Sequence, residues 1–129
     1  MFYKKMVQEA LRRCLLMELK SGSTIVNPAS GQDSVISQLI HDLFGGEILK
    51  TPERRGWHFY NRIDGERVDF AGEKTSKNIR IKKFKDIPVS PAETSNYFDF
   101  ADYFSFLMRF VRTFEESVGL RKSMNGLPV

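Results

Sequence analysis

The dipeptide Asp64-Gly65 limits what this chain can fold into more than any other feature of its sequence. It separates two segments, residues 57–63 and 66–70, in which apolar and polar side chains alternate. An Asp-Gly pair between alternating segments is typical of a tight β-hairpin, because glycine adopts a positive φ without strain. The sequence therefore predicts an antiparallel hairpin near the middle of the chain.

Apolar residues at helical spacing predict three helices around this hairpin. The expected ranges are residues 2–19, 31–44 and 93–118. The middle helix has a wide apolar stripe, which indicates deep burial, and the glycines that follow it favour a helix end. The last helix is rich in phenylalanine, and we expect one face to pack in the core, which includes Phe100 and Phe104 and is extended by Tyr103, Phe106 and Phe110.

Three shorter segments complete the predicted fold. Residues 47–51 are a candidate strand, residues 79–84 a third hairpin strand or an extended arm, and residues 86–91, with two prolines, a linker. The elements together predict an α+β fold, with a small antiparallel sheet and N-terminal, central and C-terminal helices. We expect one domain over residues 1–121 and a flexible tail over residues 122–129.

Charge and cysteine content restrict the class of protein. The chain has 129 residues, a formal net charge of +4 and one cysteine, Cys14. A single cysteine excludes an internal disulfide, and its place on the apolar stripe of the first helix predicts a buried, inert thiol. No apolar run approaches the roughly 20 residues of a membrane span, and no signal peptide is recognisable. We therefore expect a cytoplasmic protein that does not contact a membrane.

The predicted hairpin brings His58 and Asp69 to one face of the sheet. They are diagonal neighbours if Asp64-Gly65 forms a two-residue turn, and directly opposite if the loop has four residues. The other face carries four apolar side chains, so we expect it to be the core side. These are Trp57, Phe59, Val68 and Phe70.

A histidine held by a carboxylate is an oriented general base and forms two-thirds of a catalytic triad. A nucleophile would lie best at a helix N-terminus, where the helix dipole favours a thiolate. The helix that begins near Gly31 offers this position and presents Gln32, Asp33 and Ser34.

Three stretches of sequence carry a family resemblance. They are Asn-Pro-Ala-Ser-Gly-Gln-Asp over 27–33, Asp-Leu-Phe-Gly-Gly-Glu-Ile-Leu over 42–49 and the hairpin segment 58–70. In them the chain resembles the YunG-like family of small bacterial proteins, whose motif is N-P-x-x-G-Q-C followed by H-Y-Y-N and R-x-D. That motif is similar to a compact papain or transglutaminase core, with Cys, His and Asp in that order.

The resemblance implies that His58 is the catalytic histidine, Asp69 the catalytic acid and Asp33 the residue at the cysteine position. The change of nucleophile favours a catalytically inactive, cysteine-hydrolase-like protein. Such a protein would bind a protein or small-molecule ligand through a degenerate cleft, for example as an inhibitor. No cofactor is implied. An imidazole near two carboxylates should titrate above about 6.5, which disfavours a general base near neutral pH.

Other interpretations of these residues remain open. An acidic residue in the first helical turn stabilises a helix by about 0.5–1 kcal/mol, which explains Asp33 without any ligand. A hydrolase-like enzyme could use Asp33 or Ser34 with His58 and Asp69. The carboxylates and the imidazole could also ligate a divalent metal ion.

Six basic residues lie close together after the hairpin. They are Lys74, Lys77, Arg80, Lys82, Lys83 and Lys85. Lysines on a solvated loop and an edge strand oppose aggregation, which explains the cluster without a partner. The alternative is a nucleic-acid-associated module whose basic arm contacts phosphates. Its binding should be weak and salt-sensitive, because no motif in the segment reads bases.

Overall fold

The computed structural model of the chain describes residues 2–21, 32–54, 56–71 and 83–125. The helices in this part of the chain are α1 (Lys4–Ser21), α2 (Gln32–Phe44), α3 (Pro91–Thr94) and α4 (Phe100–Asn125), and a 3-10 turn covers Ser95–Tyr97. The strands are β1 (Glu47–Glu53), β2 (Gly56–Ile63), β3 (Glu66–Val68) and β4 (Ile87–Val89). These helices and this small antiparallel sheet confirm the predicted α+β fold.

The hairpin forms as predicted, in the register of a two-residue turn. Ile63 pairs with Glu66 and Arg62 with Arg67, and Asp64 and Gly65 have φ values of 52° and 79°. The alternative four-residue loop is therefore wrong. Strand β2 also pairs with β1 from Gly56 to Arg62, and the described strands lie in the order β3-β2-β1-β4.

Two boundaries in the C-terminal half differ from the prediction. The expected linker contains edge strand β4, in which Pro88 pairs with Leu49 of β1. Proline is tolerated there because an edge strand has a side that needs no hydrogen-bond donor. The last helix begins at Phe100, because Phe98 has an extended backbone after the 3-10 turn. Of the predicted strand 79–84, only residues 83 and 84 are described, and both lie outside a strand.

The chain divides into two compact units, one with α1 and α4 and the other with α2, the sheet and the short helices. The predicted single domain over residues 1–121 is not tested by this division and stays a prediction. Helix α4 continues to Asn125, and residues 126–129 of the predicted tail lie outside the described residues. No helix among the described residues is long and apolar enough to span a membrane.

Helix α4 buries only part of the face that we expected. Phe100 and Phe104 are 73% and 52% exposed, whereas Phe106 and Phe110 are buried. The phenylalanines of α4 form one wide stripe, so helical periodicity alone does not identify which part of the stripe packs. Cys14 of α1 is buried, as predicted.

Helix α2 covers one face of β2 in the other unit. Its residues from Ser34 to Ile40 are all buried, which confirms the predicted deep burial. Asn61 of β2 is also buried, and its side-chain amide donates a hydrogen bond of 3.0 Å to the carbonyl of Ser37. This bond satisfies a polar group in the interior and fixes the helix along the strand.

Two glycines end α2 and lead into β1. Gly45 and Gly46 have φ values of 82° and 79°. The N–H of Gly45 donates to the carbonyl of His41, and His41 Nδ1 lies 3.0 Å from the carbonyl oxygen of Gly46. A Cβ atom on Gly46 would lie 2.5 Å from the carbonyl oxygen of Arg62, whereas nothing lies within 4 Å of a Cβ on Gly45. Gly46 is therefore required both by its positive φ and by the close approach of Arg62, whereas Gly45 is required by its positive φ alone.

This difference predicts unequal effects of two similar substitutions. Gly45→Ala should lower the free energy of unfolding by about 1 kcal/mol, the cost of a positive φ in alanine. Gly46→Ala should lower it by about 2–4 kcal/mol, because the methyl group also collides with backbone. Urea denaturation of both variants measures the difference. Equal losses would show that the contact with Arg62 does not constrain the turn.

Candidate functional site

Asp33, His58 and Asp69 form one cluster in the sheet-containing unit. His58 Nε2 lies 2.7 Å from Asp69 Oδ2, and His58 Nδ1 lies 3.2 Å from Asp33 Oδ2. The side chains of His58, Asp33 and Asp69 are 7%, 18% and 15% exposed. The structure therefore brings together the three residues that the sequence singled out. Their role is not tested by this geometry and stays a prediction.

Asp33 enters the cluster because strand β3 is short. The backbone groups of alternate residues on an antiparallel strand point to the same edge of that strand. The N–H of Phe59 therefore points to the edge of β2 at which Asn61 and Ile63 pair with β3. Strand β3 ends at Val68, opposite Asn61. Asp33 Oδ2 accepts the N–H of Phe59 at 2.8 Å. The first turn of α2 thus provides the acceptor that a longer β3 would have provided.

Both faces of β2 are buried around His58, which corrects the expectation of one core face. His58 and Tyr60 are buried on one face, and Phe59 and Asn61 on the other. Segment 83–86 covers the face of His58 and Tyr60. There the ring of Phe84 lies 4.8 Å from that of Tyr60, and the Tyr60 hydroxyl donates to Asp86 Oδ1 at 2.7 Å. Trp57, expected in the core, is 40% exposed, because it lies near the end of the strand.

The environment of His58 favours the imidazolium form. Burial lowers the pKa of His58, but hydrogen bonds to Asp33 and Asp69 and the charges of both carboxylates outweigh burial and raise the pKa to about 10. Near neutral pH both ring nitrogens therefore carry hydrogen, with Nε2 hydrogen-bonded to Asp69 and Nδ1 beside Asp33 Oδ2. An imidazolium has no lone pair with which to accept a proton, so it cannot act as a general base in this state.

Comparison with known proteins places the chain in a family. The family model described as YunG protein matches residues 4–111.

The chain belongs to the YunG family.

The protein called "Uncharacterized protein YunG" from Bacillus subtilis (strain 168) is 41% identical over 66 residues, which are 51% of this chain and 55% of that relative. The aligned part thus spans about half the length of the curated relative. No solved structure matches the chain. These findings confirm the family resemblance. The papain- or transglutaminase-like core and the replacement of a cysteine by Asp33 stay predictions.

The other predicted residues of this YunG-family chain differ in burial. Ser34 follows Asp33 on α2 but is fully buried, and Gln32 is partly buried at the start of the helix. Among the described residues, no group of three or more His, Cys, Asp or Glu side chains is arranged to hold a metal ion. Of the basic cluster, Lys83 and Lys85 are exposed. Its other members, Lys74, Lys77, Arg80 and Lys82, lie outside the described residues.

Two exposed aromatic residues of this YunG-family chain lie on the Phe59 face of β2, opposite the face of His58. Trp57 and Tyr97 are 40% and 45% exposed. The ring of Tyr97 lies 5.3 Å from that of Phe59, whose N–H binds Asp33, and Trp57 precedes Phe59 by two residues on the same face of β2. Nothing in the sequence pointed to Tyr97, because only the 3-10 turn brings it back to β2.

The geometry of His58 predicts how it titrates. Its pKa in the folded chain is about 10, above the ordinary 6.5, so the stability it contributes is full below pH 6.5 and is lost as the pH rises towards 10. The free energy of unfolding should fall by up to about 1.4 kcal/mol per pH unit in this window. The His58→Gln variant should not show this fall. NMR titration of the imidazole protons measures the pKa, and His41→Gln assigns the signals. Titration at or below 6.5 would contradict the imidazolium assignment.

Proposed function

We propose that this YunG-family chain is a non-catalytic binding protein in which Asp33, His58 and Asp69 occupy a degenerate cysteine-hydrolase-like site. The observation behind this is the imidazole of His58, which is held by a carboxylate on each ring nitrogen. A hydrolase of this type needs a nucleophile that loses a proton and a neutral imidazole that accepts it. The cluster offers a carboxylate in the first role and an imidazolium in the second.

The position of residue 33 supports descent from a thiol site. It lies in the first turn of α2, where the helix dipole stabilises an anion, and its side chain reaches His58 Nδ1. A thiol there would have the imidazole beside it and Asp69 on the far ring nitrogen, in the chain order Cys, His, Asp. The same contacts made by Asp33 hold the imidazole as a charged structural group.

The remaining catalytic routes have less support. As a nucleophile, Asp33 would have to attack while its Oδ2 accepts the Phe59 N–H and lies beside His58. Ser34 is fully buried in α2, away from any substrate in solution. Binding is therefore favoured over hydrolysis through either residue.

We propose that the ligand, a protein or a small molecule, contacts the exposed rings of Trp57 and Tyr97. Aromatic residues are enriched in protein interfaces and dominate binding hot spots, because they bury a large area with little loss of side-chain entropy. Lys50 Nζ lies 4.2 Å from the centre of the Trp57 ring and 2.6 Å from Glu93 Oε2, which fixes the ring at the edge of the site.

The substitution Asp33→Cys tests the origin of the site. The new thiol should form a thiolate at pH 6.5, because the helix start and the His58 imidazolium stabilise the anion. It should react with iodoacetamide about tenfold or more faster than the thiol of Gln32→Cys, which lies on the same helical turn. Adding His58→Ala should remove most of this advantage. Peptide mapping separates the new thiol from Cys14, and circular dichroism checks folding.

Equal alkylation rates for the thiols at 32 and 33 would contradict the cysteine-hydrolase-like site. The same holds if the rate at 33 does not depend on His58. A wild-type chain that hydrolyses ester or amide substrates, and loses this activity in His58→Gln, would contradict the non-catalytic assignment directly.

Affinity capture with mass spectrometry tests the binding function. Proteins or small molecules retained from a bacterial lysate by the immobilised wild-type chain should be lost with Trp57→Ala and with Tyr97→Ala. The control is Leu43→Ala, which removes an exposed apolar side chain near the opposite end of α2. Equal retention by all four proteins, or no specific retention by any, would count against a ligand contact at these rings.

A further inference from the structure

A group of cations lies on the Tyr60 face of the sheet, outside the Asp33–His58–Asp69 cluster. It consists of Arg62, Arg67, Lys83 and Lys85, which we call the cationic surface. Arg62 lies on the same face of β2 as Tyr60, and Arg67 of β3 pairs directly with it. The guanidinium carbon of Arg67 lies 4.3 Å from the centre of the Phe84 ring, and the exposed Lys83 and Lys85 flank Phe84 in the chain.

Two arginines directly opposite each other across a hairpin repel, and the structure shows how the repulsion is offset. Arg62 Nη2 lies 3.0 Å from Glu47 Oε2, and Arg67 Nη2 lies 2.9 Å from Asp86 Oδ2. Lys83 and Lys85 are exposed, and no ion pair joins either to another described residue. Four cations and two carboxylates leave this surface with an excess of two positive charges.

Contacts with neighbouring side chains hold the planar guanidinium of Arg67 in place. Its Cζ lies 4.3 Å from the centre of the Phe84 ring and 5.9 Å from that of the Tyr60 ring, its Nε and Nη2 donate to Asp86, and the side chain remains 42% exposed. Asp86 is itself fixed, because its N–H donates to the Tyr60 hydroxyl at 2.9 Å. A planar cation backed by an aromatic ring presents a flat outer surface, on which an unstacked nucleobase can lie.

We propose that the cationic surface binds single-stranded nucleic acid. Lys83 and Lys85 neutralise backbone phosphates, and a base stacks on the outer face of the Arg67 guanidinium. Single strands fit better than duplexes because their bases are free to leave the stack. An acidic peptide would satisfy the lysines but offers no planar base for Arg67, so it should bind less tightly.

This surface is independent of the proposed ligand site, because it uses none of Asp33, His58, Trp57 and Tyr97. Its binding should be insensitive to base sequence, because the donors of both arginines are largely engaged by Glu47 and Asp86. It should be sensitive to salt, because it depends on counterion release. For single strands the logarithm of the affinity falls with the logarithm of salt concentration with a slope of about −0.7 per neutralised phosphate.

The experiment uses fluorescence anisotropy of a fluorescein-labelled 20-mer of oligothymidylate with the full chain between 25 and 200 mM salt. Lys83→Gln with Lys85→Gln should weaken binding about tenfold or more at 50 mM salt and reduce the slope by about 1.4. The control, Lys5→Gln with Arg112→Gln, removes the same charge from exposed positions on α1 and α4. It should change affinity and slope much less. Circular dichroism and melting temperature confirm that all variants fold.

The role of Arg67 is tested separately by Arg67→Lys, which keeps the charge but removes the planar guanidinium. This variant should bind the oligonucleotide several-fold more weakly with an unchanged salt slope, and should bind a labelled 20-mer of polyglutamate as the wild type does. Two results would overturn the proposal. One is an equal loss of affinity in the lysine variant and its charge-matched control. The other is wild-type affinity for polyglutamate equal to that for the oligonucleotide.

Discussion

The carboxylate of Asp33 connects the elements on which the sheet-containing unit depends. Its Oδ2 accepts the N–H of Phe59 and lies beside His58, whose other ring nitrogen reaches Asp69 at the end of the hairpin. Helix α2, strand β2 and the chain after β3 thus meet at one buried imidazole. Loss of any partner would leave a buried charge or polar group uncompensated, which costs far more than an intact hydrogen bond contributes.

The same contacts that stabilise the cluster restrict its chemistry. An imidazolium is a poor proton acceptor, and the carboxylates that hold His58 favour this charged form. Regions outside the cluster remain accessible. Exposed aromatic rings lie near Phe59, and exposed cations lie on the face covered by segment 83–86. These are the two regions to which we assign binding in our proposals.

Predictions from sequence succeeded where local chemistry decides the structure. The Asp64-Gly65 turn fixed the register of the hairpin, and the apolar stripe located α2. These predictions failed where tertiary packing decides which of several apolar side chains is buried, or which extended segment joins the sheet. Helix α4 has one wide apolar face, and only the folded chain selects which part of that face is buried. A segment with two prolines contains strand β4, because its edge position requires fewer donors than a central strand.

The sequence by itself determined that His58 and Asp69 share a region of the hairpin, because side chains alternate with a period of two, and that residue 33 begins a helix. Only the tertiary structure decided that these groups meet. The end of β3 at Val68 opens the edge of β2, and α2 approaches that edge so that Asp33 fills it. The structure also placed Tyr97 beside Phe59 and Phe84 beneath Arg67. Those contacts join residues far apart in the chain, and no local pattern encodes them.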